Sequence, residues 1–196
     1  MSDLAPTLPM REAAIMAAAD LLASEGPQGL SMRKIAALAQ CSTMVIYHHF
    51  GGKQGLLDAV YVEGFARLRE AQAQAVDDPD PELQVRARYL NYREVALAHP
   101  AFYQVMLGNQ LTGWVPDPKG RRFARETYGQ FVASVTAWGE ECELTASPQS
   151  AAYTMWAAAH GLVMLELTGH GDTAKDEQRY AAAIEVLMQG LRASTG

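Results

Sequence analysis

The segment Ser31–Lys53, S-M-R-K-I-A-A-L-A-Q-C-S-T-M-V-I-Y-H-H-F-G-G-K, constrains the fold of this chain more than any other stretch. Ser31 suits a helix N-cap, because its hydroxyl can accept a hydrogen bond from an orphan amide of the first turn. Ile35, Leu38 and Ala39 repeat at helical spacing and predict one apolar face. Gln40–Cys41 reads as a turn, and Ser42 caps the next helix. Ile46 and Phe50, four apart, point into a core, which leaves Thr43, Met44, Val45, Tyr47 and His48 facing outward. Two short helices joined by a tight turn, with a third opening at Lys53, are the layout of a helix-turn-helix. Such a unit lays its second helix in the DNA major groove.

These residues resemble the TetR family of transcriptional regulators. Ser31, Ile35-Ala36, Ala39, Ser42, Ile46-Tyr47, Phe50 and Lys53 all fall on the family pattern. Two positions depart from it. Gln40 stands where the family usually has Gly, so a residue with a Cβ is required to take a left-handed turn conformation. Gly52 replaces the usual Ser or Asn cap before Lys53. The reading assigns Thr43, Met44 and Val45 to base edges, Thr by hydrogen bond and Met or Val against thymine methyls. Ser31, Arg33, Tyr47, His48 and Lys53 are assigned to phosphates, Lys53 with help from the positive N-terminus of its helix. Lys34 and Ser42 complete the predicted DNA-binding set. Val45 and Met44 are larger than is common there, which points to an unusual operator.

The chain has 196 residues, long enough to bury a sizeable core, and carries a net charge of -6. A net negative charge is unusual for a DNA binder until it is divided. Over residues 1–55, Arg11, Arg33, Lys34 and Lys53 balance Asp3, Glu12, Asp20 and Glu25, so the excess acid lies beyond them. A local basic patch matters more for phosphate binding than the global charge. Cys41 and Cys142 show no metal-type spacing, and two free thiols fit a reducing cytoplasm. The N-terminal M-S-D-L-A-P-T-L-P-M has neither the basic region nor the apolar core of a signal peptide and reads as a floppy arm. No apolar run reaches the ~18 residues that span a bilayer.

Ala, Leu, Met and Glu favour helix, and no strand-like alternation of useful length appears, so an all-α chain is predicted. A first helix over Arg11–Glu25 has Ile15, Ala19 and Leu22 on one face and ends at Gly26-Pro27. A long helix runs from Lys53 to about Ala75, with Leu56, Leu57, Val60, Phe65 and Leu68 as its apolar contacts. Asp77-Asp78-Pro79-Asp80-Pro81 breaks it. Further helices are expected at about 82–98, 101–109, 119–142, 148–169 and 173–193. The predicted domains are 1–55, a three-helix DNA-binding head, and 56–196, a helical ligand-binding and dimerisation domain.

In the second half, Y-L-N-Y-R-E-V-A-L-A-H-P-A-F-Y-Q-V-M (Tyr89–Met106), followed later by W-A-A-A-H-G (Trp156–Gly161), resembles the TetR C-terminal subclass named for a Trp-His-Gly signature. That resemblance implies a ligand-sensing, dimerising helical domain. The residues support a dimer without it. From Ala151 to Leu165 only Thr154 and His160 are clearly polar, and a helix apolar all round must be covered on every side. A partner subunit is the natural cover, with Ala151, Ala152, Ala158, Ala159 and Gly161 permitting close approach. The last helix adds the stripe Tyr180, Ile184, Leu187, Met188 and Leu191. Two such helices from each of two subunits make a four-helix interface. A two-fold dimer in turn calls for a palindromic operator on double-stranded DNA.

A ligand pocket needs apolar walls and a few polar groups. Tyr89, Tyr92, Met106, Phe123, Tyr128, Phe131, Trp138, Met155 and Met164 supply the walls, and His160 is a candidate polar contact. Each of these residues, taken singly, is equally explained as core. Trp114 lies in Q-L-T-G-W-V-P-D-P-K-G, either a lid or a pinned loop. The expected effector is a small apolar or aromatic molecule. No Ser-His-Asp, Cys-His or paired-carboxylate arrangement suggests an enzyme, and Gly51-Gly52-Lys53 lacks the rest of a P-loop. Contiguous Glu140, Glu141, Cys142 and Glu143 fan around a helix and do not converge on an ion. His170 and Asp172 have weak ligand potential, so no metal or cofactor is expected. A metal-responsive regulator, a helical enzyme and an interaction module without operator binding are the alternatives.

Overall fold

A computed structural model describes residues 9–74, 79–108, 113–171 and 175–193. The expectations for the N-terminal arm, for Asp77-Asp78, for Gln110–Thr112 and for Asp172 lie outside the described residues. Among those residues the regular structure is nine helices. They are α1 (Met10–Gly29), α2 (Met32–Leu38), α3 (Thr43–Phe50), α4 (Lys53–Ala73), α5 (Pro81–Ala98), α6 (Pro100–Leu107), α7 (Pro118–Glu141), α8 (Pro148–Leu167) and α9 (Asp176–Leu191). The all-α expectation holds, and the helix bounds follow the sequence pattern closely.

Packing divides the chain into two discontinuous units, Met1–Phe65 with His99–Phe123 and Ala66–Ala98 with Ala124–Gly196. The sequence boundary at 55/56 falls inside α4 and does not coincide with this division. The reason is local: α6 packs on α1, so the first unit extends beyond the three-helix head.

In the first unit, α1 buries Ile15, Ala19 and Leu22 as predicted. Its regular turn breaks at Gly26, where φ is 69° and ψ is -172°, ahead of Pro27. α2 buries Ile35 and Ala36, and its C-cap Ala39 is buried with them. Leu38 is 58 % exposed, so the predicted apolar face of α2 is one residue too wide. Ser31 occupies the N-cap position with extended backbone, but its hydroxyl makes no capping bond. Its carbonyl accepts the ordinary first intrahelical bond, from Ile35 N at 2.9 Å. Ser42 does cap α3 through its side chain, accepting from Val45 N at 3.4 Å. Gln40 takes the left-handed conformation that the sequence demanded, with φ 52°. Gly51 closes α3 with φ 70°, and its amide donates to Tyr47 O at 2.8 Å.

α3 and α4 meet at one tight point. A Cβ on Gly55 would collide with the backbone carbonyl of Phe50. Gly64, further along α4, likewise leaves room for Met106 and the Cβ of Phe102 on α6. The segment 113–117 is pinned to α4, which decides between the two readings of Trp114. Its ring lies 5.8 Å from that of Tyr61, Gln54 Nε2 donates to Val115 O at 3.1 Å, and Asp117 N donates to Asp58 Oδ1 at 3.1 Å. Burial raises the Asp58 carboxyl above its ordinary pKa, although the Asp117 amide works against this.

In the second unit, α5 packs against α8 and α9. The buried Tyr180 hydroxyl donates to Tyr89 O at 2.8 Å. Arg93 grips Glu166 with two bonds, Nε at 2.9 Å and Nη2 at 2.7 Å, joining α5 to α8. Ser147 caps α8 by accepting from Ser150 N, with Pro148 in the first turn.

Two substitutions test this architecture. Gln40→Gly should raise unfolding free energy by about 0.5–1 kcal/mol, read by urea denaturation, because it removes the left-handed strain of a residue with a Cβ. Gly55→Ala should cost about 1–3 kcal/mol by the same measurement, because α3 and α4 must part to admit a methyl group. Gly129→Ala is the control, since a Cβ there meets nothing within 4 Å; it should be neutral or slightly stabilising.

Candidate functional site

The outward face of α3 follows from which of its residues the head buries. Ile46 is fully buried and Phe50 half-buried, with the Arg11 guanidinium 5.8 Å from the Phe50 ring. The opposite side is left to solvent. Met44 is 78 % exposed, and Tyr47 and His48 are exposed with it. Thr43 and Val45 are half-buried, less open than the sequence pattern implied. An exposed Met on a short capped helix has no packing role, and its apolar tip suits thymine methyls. The hydroxyl of Ser42 accepts the capping bond, which leaves its proton to donate elsewhere.

The cations around α3 differ in what they already hold. Lys34 pairs with Glu25 across the surface. Such an exposed pair contributes little to stability. Lys53 donates to Pro27 O at 3.4 Å, a long bond that ties the start of α4 to the end of α1. Arg33 is exposed on the first turn of α2. Ser31, Arg33, Lys34, Ser42, Thr43, Met44, Val45, Tyr47, His48 and Lys53 all lie on α2, α3, the caps that open them, or the first residue of α4. Gly55, which sets the approach of α4 to α3, was not singled out in the sequence. A Gly two residues into a helix was its only signal.

The ten residues expected around an effector divide between the two packed units. Met106 is buried and Phe123 half-buried in the first. In the second, Tyr89, Tyr92, Phe131, Trp138 and Met155 are buried, while Tyr128, His160 and Met164 are half-buried. The Tyr89 ring lies 4.7 Å from Tyr180, and Tyr128 lies 5.4 Å from Trp156. Burial, and then Tyr92, push the Tyr89 hydroxyl up to about 12. Burial lowers the pKa of His160, which keeps it neutral near pH 7. A cavity of about 100 Å³ in this unit is lined by other residues, among them Leu162, Glu166, His170 and Tyr180. It is smaller than the ~300 Å³ of a typical ligand site.

Five buried polar residues among those described, Gln72, Arg88, Thr127, Ser134 and Asp176, were missed in the sequence, and Arg88 is the one cation among them. Arg88 is 6 % exposed, on the face of α5 that also buries Val85, Tyr89, Tyr92 and Ala96. Its place on that apolar register was legible from the 3.6-residue period. Among the described residues no cluster of three His, Cys, Asp or Glu side chains is placed to hold a metal ion. No helix among them is long and apolar enough to cross a membrane.

Residues 14–60 match the model of bacterial regulatory proteins of the tetR family. Residues 85–190 match the model of the tetracyclin repressor-like C-terminal domain. The HTH-type transcriptional repressor NicS of Pseudomonas putida is 28 % identical over 102 residues, which span 52 % of this chain and 48 % of that protein. The class C tetracycline repressor protein of Escherichia coli is 30 % identical over 89 residues, 45 % of this chain and 40 % of that protein. The chain thus covers about half or less of the curated relatives it matches. A structure of a protein of unknown function from a Rhodococcus species superposes with TM-score 0.82 at 25 % identity, over 98 % of this chain and 100 % of that one. The TetR family transcriptional regulator PfmR of Thermus thermophilus superposes with TM-score 0.74 at 17 % identity, covering 94 % and 98 %. The reading head, the helical second half and these matches together make the chain a member of the TetR family of transcriptional regulators.

Proposed function

We propose that this chain is a cytoplasmic transcriptional repressor that binds a palindromic operator as a homodimer and is released by a small molecule. The observation that carries the reading is the exposed face of α3, where Met44, Tyr47 and His48 stand open on a capped helix braced by α1 and α2. Thr43, Met44 and Val45 read base edges, and Ser31, Arg33, Lys34, Ser42, Tyr47, His48 and Lys53 position the phosphates. The two curated relatives are both named repressors, which favours repression over activation.

Dimerisation is supported by what a single chain leaves uncovered, which differs from the set expected from the sequence. Ala151, Ala152, Ala159, Tyr180, Ile184, Met188 and Leu191 are buried in the chain's own core, and of the expected residues Gly161 stays exposed. Tyr153, Ala157, Gly161 and Leu165 form an exposed stripe along α8, and Ala182, Val186 and Gly190 form another on α9. A Cβ on Gly161 or Gly190 would meet nothing within 4 Å, so both positions stand open to a partner. Effector binding belongs to the helical second half, where Tyr89, Tyr92, Phe131, Trp138 and Met155 are buried on α5, α7 and α8. The Trp156–Gly161 resemblance to the Trp-His-Gly subclass points the same way. α4 contributes residues to both packed units and is the proposed coupling element. Any inducer must favour the free protein over the operator complex, because coupling between two sites is reciprocal.

The central test is a gel shift on the DNA upstream of its own gene. Lys53→Ala should weaken binding to every sequence and lower the slope of log affinity against log salt by about one. A change of operator preference with an intact salt slope would assign Lys53 to the wrong role. In sedimentation the protein should run at twice its chain mass of 21.3 kDa. Val186→Asp, which puts a charge in the middle of the exposed α9 stripe, should shift it toward the monomer. A wild-type monomer at micromolar concentration would remove the case for a palindromic operator.

A further inference from the structure

α5 carries three arginines, and the most deeply buried of them is the one left without a carboxylate. Arg86 pairs with Glu82 at 3.0 Å and with Glu185 on α9. Arg93 has its two-bond grip on Glu166. Arg88 is withdrawn from water further than either, and its Nε and Nη1 find no hydrogen-bond partner. No ion pair to Arg88 is formed among the described residues, and burial pushes its guanidinium pKa down. A guanidinium does not shed its proton to escape burial. A buried charge without a counterion costs several kcal/mol, so a counterion has to come from elsewhere.

The surroundings restrict what that counterion is. The unit's core holds further orphan donors, the Tyr89 hydroxyl and the Trp138 indole N–H. Buried donors without acceptors call for an acceptor-rich guest. Arg88 is the one cation among the buried residues described, so a monoanion neutralises the site. A phosphate, at close to two negative charges, would leave an uncompensated charge behind. A carboxylate matches the planar guanidinium fork with two parallel bonds. Next to Arg88 on the same face are Val85, Tyr89 and Tyr92, which demand an apolar body behind the anionic head. Arg88 does not line the 100 Å³ cavity, whose walls include Glu166, Asp176, Arg179 and Tyr180; the two are linked only through Tyr180, whose hydroxyl bonds the carbonyl of Tyr89.

We propose that the effector is an amphiphilic monocarboxylate and that Arg88 is the residue that binds its head. This rests on the ligand-release reading above and narrows it from an apolar molecule to an apolar acid. Arg88 does not stabilise the ligand-free fold; it is held there for its guest.

The test uses the full chain, wild type and the variants Arg88→Met and Arg88→Lys. The probes are octanoate and 3-phenylpropionate, each beside its alcohol, octan-1-ol and 3-phenylpropan-1-ol, at constant ionic strength in chloride. At least one acid should bind wild type about tenfold to a hundredfold more tightly than its alcohol, the loss expected for one charged hydrogen-bond partner. Arg88→Met should bring that ratio to about one. It should also raise the melting temperature of the ligand-free protein by a few degrees, because an unpaired buried charge is removed. Arg88→Lys, which keeps the charge without the fork, should fall between the two. The proposal is overturned if alcohol and acid bind equally, if neither acid binds, or if chloride stabilises the wild type as well as the acids do. A lower melting temperature in Arg88→Met, with the acid preference retained in Arg88→Lys at full strength, also overturns it. A gel shift in the presence of each probe separates this from the parent reading. Release of operator by the alcohols alone keeps the repressor and sinks the carboxylate anchor. Arg88-dependent binding of the acid without release keeps the anchor and sinks the switch.

Discussion

Helix α3 has eight residues, and a helix that short does not persist in water by itself. Its reading face therefore exists only as far as the rest of the head holds it. Three devices do so. Ile46 is anchored in the core between α1 and α2, Ser42 and Gly51 close the two ends, and the missing side chain of Gly55 lets α4 start against the Phe50 carbonyl. The last is the least forgiving, because the obstacle is backbone and cannot rotate away. The position of every proposed base-reading side chain depends on that approach.

The second unit is held in a different way. Its core is rich in aromatic side chains, and the other two arginines of α5 are paired, Arg93 with Glu166 and Arg86 with Glu82. Against that background the unpaired guanidinium of Arg88 stands out as a group the fold itself does not use. A sensing domain needs some interaction that is worse without its ligand, since an effector shifts an equilibrium only by its differential affinity.

The sequence made much of this legible, and the failures have physical reasons. Helix periodicity and caps located α1 to α9 because apolar spacing and Pro or Gly stops are local signals. The left-handed Gln40, with φ 52°, follows from the family resemblance, which puts Gly at this turn position. Leu38 was misplaced because a seven-residue helix offers too few residues to separate a core edge from a solvent edge. The hydroxyl of Ser31 was expected to cap α2, yet it makes no capping bond. The packing units were not legible, because α6 returns to α1 across a long stretch of sequence. Arg88 was overlooked because an arginine reads as surface by composition; only its register with Val85, Tyr89 and Tyr92 says otherwise.

DNA recognition by the exposed face of α3 is the claim from which the others follow, and it can be tested without knowing any operator. Purified protein is used to select duplexes from a random-sequence pool over several rounds, and the bound fraction is sequenced. An enriched inverted repeat is predicted, with half-sites separated by whole turns of the double helix, as two reading heads of a two-fold dimer require. Met44→Ala should alter the preferred bases within each half-site while leaving the spacing unchanged. A pool that stays random after selection, or a repeat that is indifferent to substitution on α3, would contradict it.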